Sequence, residues 1–314
     1  VESKVKGYHS GDAVSYNENI VIATTNSGDL ELFKMNPSDQ NLVKFVNFTS
    51  YNDRFGTPQD FMDVMLQIEN DSLFVYAVNG RSLFKYNISD LEHAQIVQEV
   101  KDGGWDWFGG LQMIGGHVAT TGSRGVKIWN NDLQVVDTYN IINPGDKTYN
   151  TTPAFSNKYI FTLYQGMIKI FDRDTRSFVK EVPIDLKWGS DWYKRELYSD
   201  PSGDAMFVVD DEAVRKINFN GQVVDSFNHT SNLGYDVVPS TNQDYLYFSD
   251  GIGVVKLRTS NLDVVAYKHT IALGNGHGWA MGMKVVNDCN GEKIVLFNNS
   301  NIIILNSNLQ PLKV

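Results

Sequence analysis

Residues Gly125–Asp137 read GVKIWNNDLQVVD, two short apolar alternations joined by a polar turn. In the first half, Val126 and Ile128 face one side of an extended chain while Lys127 and Trp129 face the other. Asn130, Asn131 and Asp132 then supply turn chemistry, because Asn and Asp side chains bond the backbone two residues on. The stretch is a β-hairpin in sequence form. Six more copies follow the same plan: GDLELFKMNPSDQNLVKFV from Gly28, GRSLFKYNISDLEHAQIVQEV from Gly80, QGMIKIFDRDTRSFVKEV from Gln165, EAVRKINFNGQVVDSF from Glu212, GVVKLRTSNLDVVAYKH from Gly253 and NIIILNSNLQPLKV from Asn301.

The residue closing each first alternation is Phe33, Tyr86, Trp129, Phe171, Ile217, Leu257 or Leu305. Their spacing averages about 45, the period of a four-stranded repeat. Two further strand-like runs lie upstream of a hairpin, as in YDVVP (Tyr235–Pro239) and DYLYFSD (Asp244–Asp250). No useful helical periodicity competes; DLEHAQIVQEV aligns with the other copies as turn plus strand. One four-stranded sheet cannot cover both its faces, whereas seven packed radially bury each against a neighbour. The expected fold is all-β.

The chain resembles the seven-bladed β-propeller superfamily in the broad sense that takes in WD40-like and YVTN-like surface propellers. KIWN (Lys127–Asn130) and KIFD (Lys169–Asp172) look like the end of a WD-type third strand. LELFK, RKINF and IIILN depart from that pattern, and no Gly-His dipeptide recurs before the first strands, so the true WD40 label and its scaffold role are declined. The repeats and the resemblance imply a single domain over residues 1–314, a seven-bladed β-propeller of four-stranded antiparallel blades. The blades are expected at about 7–50, 51–100, 101–142, 143–184, 185–228, 229–271 and 272–314. The last strand, LQPLKV, is expected to end near the N-terminal blade, with VESKVK along the seam.

Composition bounds the function. A net charge of −10 and 42% apolar residues describe an ordered acidic protein, repelled on average by a phosphate backbone, so nucleic acid is not an expected partner. Apolar runs such as AMFVV (Ala205–Val209) fall far short of the ~20 residues of a membrane-spanning helix. The single cysteine, Cys289, excludes an internal disulfide and a Cys-based zinc cluster, and reads as a small strand residue. The start at Val1 fits a processed or an excised chain. Asn-x-Ser/Thr sequons at Asn47, Asn70, Asn87, Asn150, Asn228 and Asn298 are glycan acceptors if the protein is exported, although Asn also favours turns.

The segments leading into the first strands carry a second pattern: HSGDAV, TPQDFM, GWDWF, NTTPA, GSDWY, GYDVV and GHGWA. Five align an aspartate, Asp12, Asp60, Asp106, Asp191 and Asp236; Thr152 and Gly278 replace it in the others. Converging at a channel mouth, these carboxylates would hold a cation or hydroxyl-rich groups; alternatively each caps its own turn. Trp105, Trp107, Trp188, Trp192, Trp279, Tyr8, Tyr149 and Tyr235 lie in or beside the same segments, suited to stacking on sugars or docking a peptide, or else to packing between blades. His9, His229 and His277 fall there too and would suit a transition metal or acid–base work. His93, His117 and His269 read as surface or turn residues. The glycines of GGLQMIGG (Gly109–Gly116) have the wrong spacing for a phosphate loop, and that stretch reads as strand flanked by turns.

The leading expectation is a non-catalytic binding module, extracellular or at a cell surface, that recognises a protein or glycan and needs no cofactor beyond a structural cation. The alternatives are a carbohydrate-active lyase or hydrolase with carboxylates and His at the channel mouth, and a cytoplasmic assembly scaffold.

Overall fold

A computed structural model of the chain describes residues 8–26, 28–38, 41–49, 51–52, 58–60, 61–79, 81–101, 108–114, 116–122, 125–140, 154–164, 167–184, 197–200, 204–210, 212–229, 236–250, 252–269, 280–298 and 302–313. Among them strand is the only regular structure, and no helix is long and apolar enough to cross a membrane. Seven antiparallel sheets form, each from four strands consecutive in the chain. Blade 1 takes Tyr8–Tyr16, Asn19–Asn26, Asp29–Met35 and Leu42–Phe48; blade 2 takes Phe61–Glu69, Ser72–Asn79, Ser82–Asn87 and Gln95–Lys101. Blade 3 takes Phe108–Ile114, His117–Gly122, Gly125–Trp129 and Val135–Asn140; blade 4 takes Ala154–Phe155, Tyr159–Tyr164, Met167–Asp172 and Phe178–Pro183. Blade 5 takes Leu197–Ser199, Ala205–Val209, Ala213–Asn218 and Val223–Asn228; blade 6 takes Asp236–Pro239, Tyr245–Ser249, Gly253–Arg258 and Val264–His269. Blade 7 takes Ala280–Asp288, Gly291–Asn298, Ile302–Asn306 and Pro311–Lys313. The fold is a seven-bladed β-propeller.

The chain divides into two compact units, residues 1–111 with 268–314, and residues 112–267. In the first, the second strand of blade 1 is buried on both faces. Ile20 and Ile22 pack with Val286, Val295, Phe297 and Ile304 of blade 7, while Val21 and Ala23 pack with Val64, Val75 and Phe84 of blade 2. Strand alternation therefore sends neighbouring residues into different inter-blade cores, which is why the run Ile20–Ala23 is apolar throughout. Gly11 is required by this packing, since a Cβ there would lie 2.4 Å from the Phe297 ring. The second unit repeats the device: Met206 and Val208 pack with blade 4, Phe207 and Val209 with blade 6. Each fully buried aliphatic or aromatic side chain contributes roughly 1.5–3 kcal/mol.

The repeated phrase is the hairpin of the third and fourth strands. Asn130 Oδ1 accepts from the Asp132 and Gln134 N–H groups, Asn218 Oδ1 from Asn220 and Gln222, and Asn306 Oδ1 from Asn308 and Gln310. The position before each Gln is left-handed: Leu133 (φ +50°), Gly221 (φ +82°) and Leu309 (φ +60°). A leucine there is strained, and burial compensates, since Leu133 is 3% and Leu309 1% exposed. Past the turn the register slips at Leu32/Phe33, Ile128/Trp129, Ile170/Phe171, Lys216/Ile217 and Ile304/Leu305, and at Ile96/Gln98 on the outer strand of blade 2. Such a bulge sets two residues of the outer strand against one of its partner. Exposed apolar pairs result, among them Ile96–Val97, Val135–Val136, Phe178–Val179 and Val223–Val224.

Two local expectations meet the structure differently. Residues 109–114 of the glycine-flanked stretch lie in the strand Phe108–Ile114, so Gly109 and Gly110 are strand and not a flanking turn. Cys289 is not a strand residue: it is exposed in the turn between the first two strands of blade 7, where nothing packs a small side chain inward.

Candidate functional site

The first strands of blades 7, 1 and 2 pack side by side in that order. Each pairs in its sheet with its own second strand alone, so its other edge presents backbone N–H groups that no ladder satisfies. Two carboxylates meet that need. Asp12 accepts from the Ala13 N–H at Oδ1 (2.8 Å) and, across to blade 2, from the Leu66 N–H at Oδ2 (2.8 Å). Asp63 does the same one blade on, accepting from the Val64 N–H at Oδ1 (3.0 Å) and from the Leu111 N–H, in the first strand of blade 3, at Oδ2 (2.6 Å). The Ser10 hydroxyl also donates to Asp63, tying blade 1 to the same group. Lys284 of blade 7 lies 3.1 Å from Asp12 Oδ1 and balances its charge. Asp12 and Asp63 are 4% and 1% exposed, so both are staples between blades. Hydrogen bonds to a charged acceptor contribute about 1.5–3 kcal/mol.

Of the five aligned aspartates, three are described, and they occupy unlike places. Asp12 lies inside the first strand of blade 1. Asp60 is exposed just before Phe61 and leans on the blade 1 turn at Gly28. A Cβ on Gly28 (φ +92°) would meet Asp60 Oδ1 at 2.2 Å, and the Phe61 N–H donates to the Gly28 carbonyl (3.0 Å). Asp236 is buried at the start of its strand, opposite Ser249. Register makes Asp63, opposite Val78, the counterpart of Asp236, because Val78 and Ser249 each precede a turn-forming Asn79 or Asp250. Asn79 Oδ1 accepts from Arg81 and Ser82, and Asp250 Oδ1 from Ile252 and Gly253. Asp63 was missed because TPQDFM stops short of it, and no count from the turn finds it: Asp63 lies 16 residues before Asn79, whereas Asp236 lies 14 before Asp250, so only the pairing register equates them.

His229 is described and lies in the second unit. Its Nε2 is 3.0 Å from the Asp210 carbonyl oxygen, and its ring stands 5.1 Å from that of Phe248. Asp210 is fully buried: Oδ1 accepts from the Glu212 and Ala213 N–H groups, and Oδ2 from Arg215 Nε at 2.7 Å. This cluster organises a turn. Among the described residues no three His, Cys, Asp or Glu side chains gather as a metal site. His93, His117 and His269 are exposed. Tyr8 and His9 open the first strand of blade 1. Asp106, Asp191, Trp105, Trp107, Trp188, Trp192, Trp279, Tyr149, Tyr235 and His277 lie outside the described residues, as does the sequon at Asn150. Asn47, Asn70 and Asn228 are exposed, Asn87 is half-buried, and Asn298 ends a strand.

No protein-family model matches the sequence, and no curated protein matches it. The class is therefore carried by the seven sheets themselves.

Proposed function

We propose that this chain is a non-catalytic binding module, exported or displayed at a cell surface, that takes a protein or glycan partner through the aromatic and acidic segments leading into its first strands. Propeller folds commonly serve as binding or scaffold modules. The observation that carries the reading is the commitment of Asp12 and Asp63 to backbone N–H groups of the next blade. Carboxylates so engaged are frame, and a frame stapled in this way presents adjoining segments to a partner at low entropic cost. Trp105, Trp107, Trp192, Trp279 and Tyr235 in these segments are of the residue types that give large contact area with few rotors. The net charge of −10 favours a neutral or cationic partner over nucleic acid.

The test is a glycan array and a panel of extracellular proteins screened with the intact chain, then with Trp105→Ala/Trp279→Ala. Aromatic anchors of this kind carry about 2 kcal/mol or more, so binding is expected to fall at least about 30-fold with the thermal midpoint unchanged. Undiminished binding by the double variant overturns the assignment of the partner site to these segments.

A further inference from the structure

We propose that Asn47, with Thr49 two residues on, is an N-glycan acceptor of the folded protein, and that the equally well-formed sequon at Asn87 is not. The inference rests on the exported reading above. Sequons in this chain have a plain alternative, that Asn is present for turns, and the structure separates the cases. Asn70 has such a reason: with Asp71 it forms the two-residue hairpin between the first strands of blade 2, at φ +48° and +63°, where Asn is favoured. Asn87 has one too. Its Oδ1 accepts from the Ser89 N–H (2.9 Å), Ile88 is fully buried, and Ser89 Oγ accepts from the Leu73 N–H (2.9 Å). A glycan bonds Nδ2 and leaves Oδ1 to accept, so the turn bond alone does not bar it; what bars it is the half-buried Asn87 side chain and a sequon hydroxyl already engaged at Leu73.

Asn47 has none of these roles. It pairs with Glu31 inside the outer strand of blade 1, a setting in which Asn is disfavoured. Its side chain makes no hydrogen bond among the described residues. Strand alternation turns Phe48 inward, where its ring lies 4.4 Å from that of Tyr86, and leaves Asn47 and Thr49 both exposed. The amide and the hydroxyl of the sequon thus share the solvent face. In the transfer, Asn47 Nδ2 bonds to C1 of an oligosaccharide carried on a polyprenyl diphosphate. The C1–O bond breaks, the diphosphate leaves with its electron pair, and one Nδ2 proton passes to a base of the transferase. A glycan here also shields the free edge of an outer strand that exposes Val43.

The intact chain behind a cleavable leader is passed through a eukaryotic secretory host, and the secreted protein is mapped by glycopeptide mass spectrometry, with near-ultraviolet circular dichroism confirming its fold. Asn47 is expected to be occupied in most molecules and Asn87 bare, and Thr49→Ala abolishes occupancy at Asn47 while keeping the asparagine. The same mapping after translation into microsomes makes the result independent of secretion. A bare Asn47, or an occupied Asn87 in the folded protein, overturns the proposal. Fractionation of the natural cell tests the other layer: a protein found only inside overturns the exported reading even where Asn47 is competent.

Discussion

Blades 7, 1 and 2 differ from blades 4, 5 and 6 in how they end their first strands. In the former group these strands turn back tightly, through Asn17–Glu18 (φ +46°, +61°) in blade 1 and Asn70–Asp71 in blade 2. In the latter they end at Phe155, Ser199 and Pro239. Polar turns close them: Ser156 Oγ accepts from Lys158 and Tyr159, and Ser240 Oγ from Tyr245. The long hairpins of blades 2 and 7 are pinned at their ends by buried lysines, Lys85 on Glu69 (2.7 Å) and Lys293 on Asp288 (3.0 Å). Lys85 also lies 4.2 Å from the Phe74 ring centre, and Tyr76 donates to Glu69. One blade plan thus supports two ways of closing the first hairpin, and Asp12 and Asp63 staple blades that use the tight turn.

The largest effect is expected from Lys85→Ala, which strands the 7%-exposed Glu69 carboxylate and costs about 3–5 kcal/mol in urea unfolding. Lys216→Ala, which removes a looser pair with Asp200 (3.5 Å) in blade 5, costs less than about 1 kcal/mol; equal losses would erase the contrast.

Asp63→Ala leaves the Leu111 N–H unsatisfied and costs about 1–3 kcal/mol, whereas Asp60→Ala stays within about 0.5 kcal/mol. A reversal would return the structural role to the aspartate that sequence alignment selects. The smallest effect is alkaline. Burial, with Asp200 nearby, pushes the Tyr198 hydroxyl up to about 12. The folded chain keeps that proton longer than the unfolded one, so the stability it contributes is whole below pH ~10 and is lost as pH rises through the folded value. Tyr198→Phe keeps the ring stacked on Phe207 and removes the titration. Its stability is expected to fall less steeply than that of the parent between pH 10 and 12.

Much of the fold was legible because its signals are local. The Asn at positions 130, 218 and 306 bonds backbone a few residues away, and alternation in Val126–Trp129 needs only the strand itself. Cys289 misread as strand because the turn around it carries no Pro and places its glycine, Gly291, at the far end. The candidate site was legible only as composition. Aspartates before first strands are visible in sequence, but which N–H each one meets is not.

The amino-acid sequence by itself determined seven hairpins, their period and the all-β class, since turn chemistry and side-chain alternation act within a few residues. Tertiary structure alone decided that Asp63 and not Asp60 joins Asp12 as a staple, and that Ile20 and Val21 enter different cores. Those outcomes depend on which backbone edge and which neighbouring sheet a side chain meets across space, and that geometry exists only once the blades have packed.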